Sequence, residues 1–379
     1  MEVVILHRFL DTIYCLFVMQ NKIVANLLLA VMFVFSFTVI AQDHSDDHGH
    51  APAHGEPKDV KAEIKEGIDH HLIDSYDFTI THGVSMPLPV ILIDNGVHIF
   101  SSSEFHHGES VVEKGGNYYA IGHGKIYKTD AEGTLHHGEP NDKGVSFITN
   151  EMPLDLSITK NVFMIMLMAV FMFFLFKGVS KSYGNGQMPT GAGRFLEPLV
   201  IFVRDEIARP NIGEKYYKNY MSYLLTVFFF IWFLNLAGMT PLGINVTGNI
   251  AITFALALMT FVITNVTAKK DYWGHIFWMP GVPKPMRIIL APIELLGVFI
   301  KPFALMIRLY ANMSAGHIVL MSLIGLIFVF KSWLAAGPVL GLTLALSLLE
   351  LLVAALQAYI FTMLTALYFG MAVEEHGDH

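Results

Sequence analysis

Residues Glu294–His317 read ELLGVFIKPFALMIRLYANMSAGH, a stretch apolar enough for a membrane that still carries Glu294, Lys301, Arg308 and His317. Glu294, Lys301 and Arg308 recur at every seventh position, so at ~100° per residue they form one slowly drifting stripe on a helix. Asn312 lies one turn beyond Arg308. His317 is nine residues past Arg308, which puts it ~180° around the helix and ~13 Å further along. One helix therefore shows its arginine to one neighbour and its histidine to another. An Arg, Lys or Asp at the centre of a membrane helix costs about 2.5–3.5 kcal/mol on insertion scales, so such residues face protein, a partner or water, and ion transport is the default reading.

Outward from this stretch the chain keeps the same character. The segments 292–330 and 335–371 both exceed the ~20 residues of a direct crossing, so they are expected to tilt or run partly along the membrane. In the second, Glu350 and Gln357 are seven apart and share a face. Upstream, Val162–Phe176, Tyr220–Leu236 and Ile250–Val266 read as three further spans. Phe195–Ile207 alternates apolar residues with Glu197, Arg204, Asp205 and Glu206 at helical spacing, the pattern of an amphipathic helix lying on the membrane surface. Hydrophobic residues make up 54% of the 379 and charged ones only 15%, more apolar surface than a soluble core uses. Nothing basic is clustered as a nucleic-acid footprint would be. The single Cys15 excludes an intrachain disulfide framework and a cysteine metal site.

The remainder is polar. An apolar run, Leu27–Ile40, follows Asn21-Lys22 and ends in Val39-Ile40-Ala41, the form of a signal peptide over residues 1–41 cleaved after Ala41, with Met19 a natural start. Residues 42–60 are a His-rich tract with almost nothing apolar to bury, expected to be disordered. Residues 61–157 hold short runs, Leu88–Ile93, Val97–Ser101, Tyr118–Ile121 and Val145–Thr149, that read as strands, with Asp94-Asn95-Gly96 as a hairpin turn. A small β-rich exported domain is expected there, before an all-α membrane domain over 158–373 and a cytoplasmic tail, 374–379. Lys177, Lys181, Lys269, Lys270, Lys284 and Arg287 fall on one side of that topology, which the positive-inside rule makes cytoplasmic. Trp273 and Trp278 mark the same interface, and Trp333 the opposite one.

Three segments in order give the chain a family resemblance. Arg308–His317, RLYANMSAGH, resembles the signature RLxxNMxAGH/E of subunit a of rotary ATP synthases. ELLVAALQAYIF, Glu350–Phe361, resembles that family's last-helix motif, and Glu197-Pro198-Leu199 with Arg204–Gly213, RDEIARPNIG, resembles its cytoplasmic surface helix. Some members carry Glu where His317 stands and His where Glu350 stands. The resemblance covers roughly 155–375. It implies a bacterial inner-membrane protein that is a stationary, non-catalytic proton-channel subunit, with a c-subunit ring and peripheral-stalk b subunits as partners and no cofactor. It implies Arg308, His317, Glu350, Glu294, Asn312 and Gln357 as the residues of proton translocation. Lys301 reads as a side chain that snorkels or pairs with a neighbour.

Two other readings compete. A stand-alone secondary transporter would be expected to show inverted repeats, and none is visible. A metal-binding exported domain would draw on the 13 histidines between His44 and His137 and the repeated His-Gly-Glu at 54, 107 and 137. The pairs His106-His107 and His136-His137 lack the i, i+4 spacing of a defined metal site, so a solvated surface with glycine turns is the expectation. No nucleotide-phosphate motif appears.

Overall fold

The computed structural model describes residues 74–81, 84–108, 110–138, 147–183, 191–240, 244–278, 283–330 and 333–374. The expected signal peptide, His-rich tract and most of the C-terminal tail lie outside these.

The described chain is mostly helical, with a β-rich segment before the first helix. Residues Lys160–Tyr183 form α1. An 11-residue α2, Ala192–Phe202, runs through a wider turn at Val203–Ala208 into the short α3, Arg209–Ile212. Then come α4, Tyr217–Gly238, α5, Ile250–Thr267, α6, Lys270–Phe277, α7, Lys284–Phe330, and α8, Trp333–Val373. Among the described residues, five helices are long and apolar enough to cross a membrane: α1, α4, α5, α7 and α8. All three shorter spans read from sequence are present, extended by a few residues.

The two long helices behave as the segment lengths require. At 47 and 41 residues, α7 and α8 span ~70 and ~60 Å, about twice a hydrocarbon core. α7 begins eight residues before the predicted start and keeps Pro292 and Pro302 within it. The amphipathic segment also differs in one respect from a helix merely resting on a surface. Leu196, Val200, Val203, Ile207 and Ala208 are buried in the main core, and so is Arg204, which bonds Asp205 at 2.9 Å. Asp205 also accepts from Arg209, whose guanidinium reaches Glu214 and the Tyr217 hydroxyl. The end of α8 closes onto this segment: a Cβ on Gly370 would run into the Asn211 carbonyl.

Among the described residues, the β-rich segment holds eight strands in three antiparallel sheets. β1, Asp77–Thr81, pairs with β2, Val84–Pro87; β3, Pro89–Ile93, lies between β4, Val97–Ser101, and β8, Leu154–Asp155; β6, Asn117–Gly122, lies between β5, Val112–Lys114, and β7, Lys125–Thr129. The Asp94-Asn95-Gly96 turn does join β3 to β4, with Asn95 at φ 52° and Ile93 opposite Val97. The strand expected at Val145–Thr149 reduces to a bridge between Ile148 and His137, and its first two residues lie outside the described ones. His106 and His107 have positive φ in a turn, and His107 Nδ1 lies 3.1 Å from Asp77.

This segment is joined to α1 by more than the chain. Asp74 accepts the Asn161 N–H, and the Ser75 carbonyl accepts that of Lys160, so two donors left open in the first turn of α1 are satisfied by the β segment. Phe78 stacks edge-on against Phe163 at 5.2 Å and shares a core with Met164 and Ile165. Within the segment, Asp94 ties one sheet to the other by accepting from Asn117, Tyr119 and Lys128, at 2.8, 2.9 and 2.8 Å. The Lys128 bond holds the Asp94 carboxyl below its ordinary value, against burial. A carboxyl depressed on folding stabilises above its unfolded pKa and loses that contribution as pH falls through the folded one. The full chain in detergent is therefore expected to lose hydrogen-exchange protection in β3–β7 below about pH 4. Asp94→Asn should flatten that acid dependence, and an unchanged acid profile in the variant would show that Asp94 is not its source.

Candidate functional site

The polar residues of α7 and α8 are arranged by the face each helix buries. On α7, Leu305, Leu309 and Met313 are buried, which turns Arg308 outward. Arg308 is exposed, together with Phe303, Ala304, Ile307, Ala311, Asn312 and Ala315, and among the described residues it makes no hydrogen bond or salt bridge. His317, half a turn away by position, is buried at 9% exposure. The half-turn offset read from the spacing is thus the offset seen.

α8 meets α7 at two levels. Asn312 Nδ2 donates to Gln357 Oε1 at 2.9 Å, and Gln357 is 2% exposed. Further along α7, the Glu350 carboxylate lies directly over Gly316, the residue before His317. A Cβ at 316 would stand 2.7 Å from Glu350 Oε1. The missing side chain is what admits a carboxylate between the helices, and Glu350 is 8% exposed there. Three of the predicted residues, Asn312, Glu350 and Gln357, are therefore gathered at the α7–α8 contact; His317 is buried next to Gly316 in the chain, and Arg308 is exposed one turn from Asn312, at the edge of that contact.

Glu294 stands apart, some 14 residues or ~21 Å down α7 from Arg308. It is half-buried near Tyr272 of α6. The Tyr272 hydroxyl is pushed up in pKa by burial and, second, by the Glu294 carboxylate. Lys301 reaches across to α8, with Nζ 5.6 Å from the Tyr368 ring centre and 3.7 Å from Met371 Sδ. It thus pairs with a neighbouring helix, one of the two readings the sequence left open. Lys301 and Tyr368 line a small cavity with Thr260, Thr264, Asn265 and Tyr272.

One polar set was not legible beforehand. Asn235 of α4 is fully buried; its Oδ1 accepts from Thr247 Oγ1 at 2.8 Å, and its Nδ2 donates to the Ala354 carbonyl of α8 at 3.3 Å. Asn245 and Ser314 add bonds between the α4–α5 connection and α7. The only advance signal was that the Gly238–Gly248 loop carries no charge.

The model of the family described as ATP synthase A chain matches residues 161–370, more than half of the chain. The chain belongs to this family. It is thereby a multi-pass membrane protein of an ATP synthase membrane sector. Three curated relatives, each named ATP synthase subunit a, illustrate the similarity. That of Chloroherpeton thalassium is 45% identical over 232 residues, 59% of this chain and 69% of the relative. That of Myxococcus xanthus is 46% identical over 237 residues, 60% of this chain and 77% of the relative. That of Anaeromyxobacter dehalogenans strain 2CP-C is 45% identical over 234 residues, covering 59% of this chain and 60% of the relative. Residues 67–156 match a second model, described as a domain of unknown function (DUF8433). The family model thus takes in all of α4–α7, while the β-rich segment falls to the other.

The Asn312–Gln357 bond makes a measurable pair. Hydrogen bonds between membrane helices average about 0.6 kcal/mol and reach about 1.7. A double-mutant cycle of Asn312→Ala and Gln357→Ala, read by unfolding in detergent, should give a coupling of about 0.6 kcal/mol. Strict additivity would show the two amides to be unpaired.

Proposed function

We propose that this chain is the stationary proton-channel subunit of a rotary ATP synthase, and that Arg308 acts on carboxylates presented in turn by a ring of c subunits. The observation that supports this most is the outward face of α7. Arg308 stands on it between Ala304, Ala311 and Ala315, small residues that let a neighbouring helix approach closely. Beside it α8 exposes Leu348, Leu349, Leu352 and Leu356. A cation on an apolar face is costly unless something of opposite charge arrives there.

The chemistry follows from the residues. Arg308 keeps its proton at any physiological pH. A carboxylate brought opposite it is favoured in the ionised form and releases its proton. The fixed charge also bars protons from crossing directly between two aqueous half-channels. His317, on the far side of α7 from Arg308, and Glu350, on α8 over Gly316, relay protons from the outer half-channel, a task suited to an imidazole with an unperturbed pKa of about 6.5. Glu294 serves the half-channel that opens at the Lys269-Lys270 end, which the basic residues make cytoplasmic. Asn312 and Gln357 hold the two helices beside this path. Each charge crossing the membrane delivers ~2.3 kcal/mol per 100 mV, and rotation of the ring carries it to a remote catalytic sector. In this reading b subunits of the peripheral stalk hold the chain still. Residues 42–157 follow a cleaved signal peptide and lie outside the cytoplasm.

Arg308→Ala is expected to reduce proton-driven ATP synthesis in membrane vesicles to background while the complex still assembles. Arg308→Lys should not restore full activity, because a lysine shifts its pKa and can lose its proton when buried. Synthesis near the wild-type rate in Arg308→Ala would sink the assignment.

A further inference from the structure

Between α4 and α5, residues 244–249 form a tight turn whose polar groups reach α7 directly and α8 through Asn235 of α4. Toward α7, Asn245 Nδ2 donates to the Met313 carbonyl at 3.4 Å, and Ser314 Oγ donates to the Gly248 carbonyl at 3.3 Å. These contacts fall immediately after Asn312 and three residues before His317. Toward α8, Thr247 Oγ1 donates to Asn235 Oδ1, and Asn235 Nδ2 donates to the Ala354 carbonyl. Ala354 lies between Glu350 and Gln357, four residues after one and three before the other. Thr247 and Asn235 are 1% and 0% exposed, so neither bond has a solvent substitute. The turn is itself braced, because Asn245 Oδ1 accepts the Gly248 N–H and the Asn245 side chain fills the space a Cβ on Gly248 would need.

We infer that this turn is a strut that fixes the register of α7 against α8, with Thr247 and Asn235 as positioning residues for the proton path. The inference rests on the function proposed above. Its physical ground is that lipid-soluble helices have no hydrophobic force holding them together, so packing and hydrogen bonds set their alignment. α7 and α8 are long, and a slip of one residue moves a side chain ~1.5 Å along the axis. That is enough to lengthen the 2.9 Å Asn312–Gln357 bond beyond use and to lift Glu350 off Gly316. The strut is a third body that grips each helix within a few residues of those contacts. It closes a triangle in which α7 touches α8, the turn holds α7, and Asn235, bonded to the turn, holds α8.

The intact complex in vesicles tests this with three variants. Thr247→Val keeps the shape and removes the donor, leaving the buried Asn235 oxygen without it. Proton-driven synthesis should fall about fivefold or more, with unchanged complex content and unchanged KM for ADP. Thr247→Ser, which restores the hydroxyl, should return to within about twofold of wild type. Thr247→Ala leaves space for a water, and should be impaired like Thr247→Val. Wild-type rates in Thr247→Val, or undiminished flux in Thr247→Ala, would overturn the strut, the latter by making the turn the lining of a water path. Register is also read directly, whatever the activity. Spin labels on Val319→Cys and Leu344→Cys should give a narrow distance distribution that broadens with Thr247→Val. An unbroadened distribution likewise overturns the inference. If Thr247→Val does not assemble, Ser314→Ala takes its place, with a smaller loss and the same broadening expected. Should Arg308→Ala keep its activity, the functional reading fails, and the label distances still decide the strut.

Discussion

Everything in the helical part turns on one constraint: a polar group placed among apolar helices must be satisfied by the protein or presented at its face. α7 meets it in both ways on one rod. Where it meets α8 it supplies an amide to Gln357 and a glycine surface for the Glu350 carboxylate, while one turn from that amide it leaves a guanidinium uncovered. Burial of Leu305, Leu309 and Met313 settles which side is which. The other helices follow, since α4 and α5 fill the space behind α7 and α8 with Phe229, Phe230, Leu256 and Met259.

Much of this was legible in the sequence because periodicity carries it. Seven-residue and nine-residue spacings are statements about angle, and the angular offset of Arg308 from His317 survives unchanged in three dimensions. The five spans were equally visible from length and apolar content. What sequence could not supply was contact between distant elements. Asn235 in FLNLAG is one amide in an apolar run, and nothing local says that it joins Thr247 to α8. Gly316 gave no hint that a carboxylate would occupy the place of its side chain. The amphipathic segment was recognised by its charge pattern. Even so, the burial of Arg204 depends on Asp205 beside it and on packing against other helices, which a helical wheel does not display.

The β-rich segment was less legible for a different reason. Its strands are two to six residues long, too short for alternation to stand out, and β1, β2, β5, β7 and β8 were not anticipated. Its cohesion comes from side chains that bridge sheets, Asp94 above all, and from a seam with α1 built by Asp74, Ser75 and Phe78. The two described histidine-glycine repeats do not share a structure: His107 falls in a left-handed turn, and His137 forms an isolated bridge with Ile148. A repeated string of residues here is not a repeated fold.

The contact of Gly370 with Asn211 has a consequence for how this protein can vary. Along much of α8 the outward leucines touch little else in this chain, so nothing within it fixes their size and shape. At 370 even one methyl group collides with main chain, which cannot rotate away as a side chain can. The packing this chain imposes on the helix is therefore sharply uneven, open on the leucine flank and closed to a Cβ at 370. In a randomised library of α8, position 370 would keep glycine alone, and that restriction would trace where the 209–212 segment crosses.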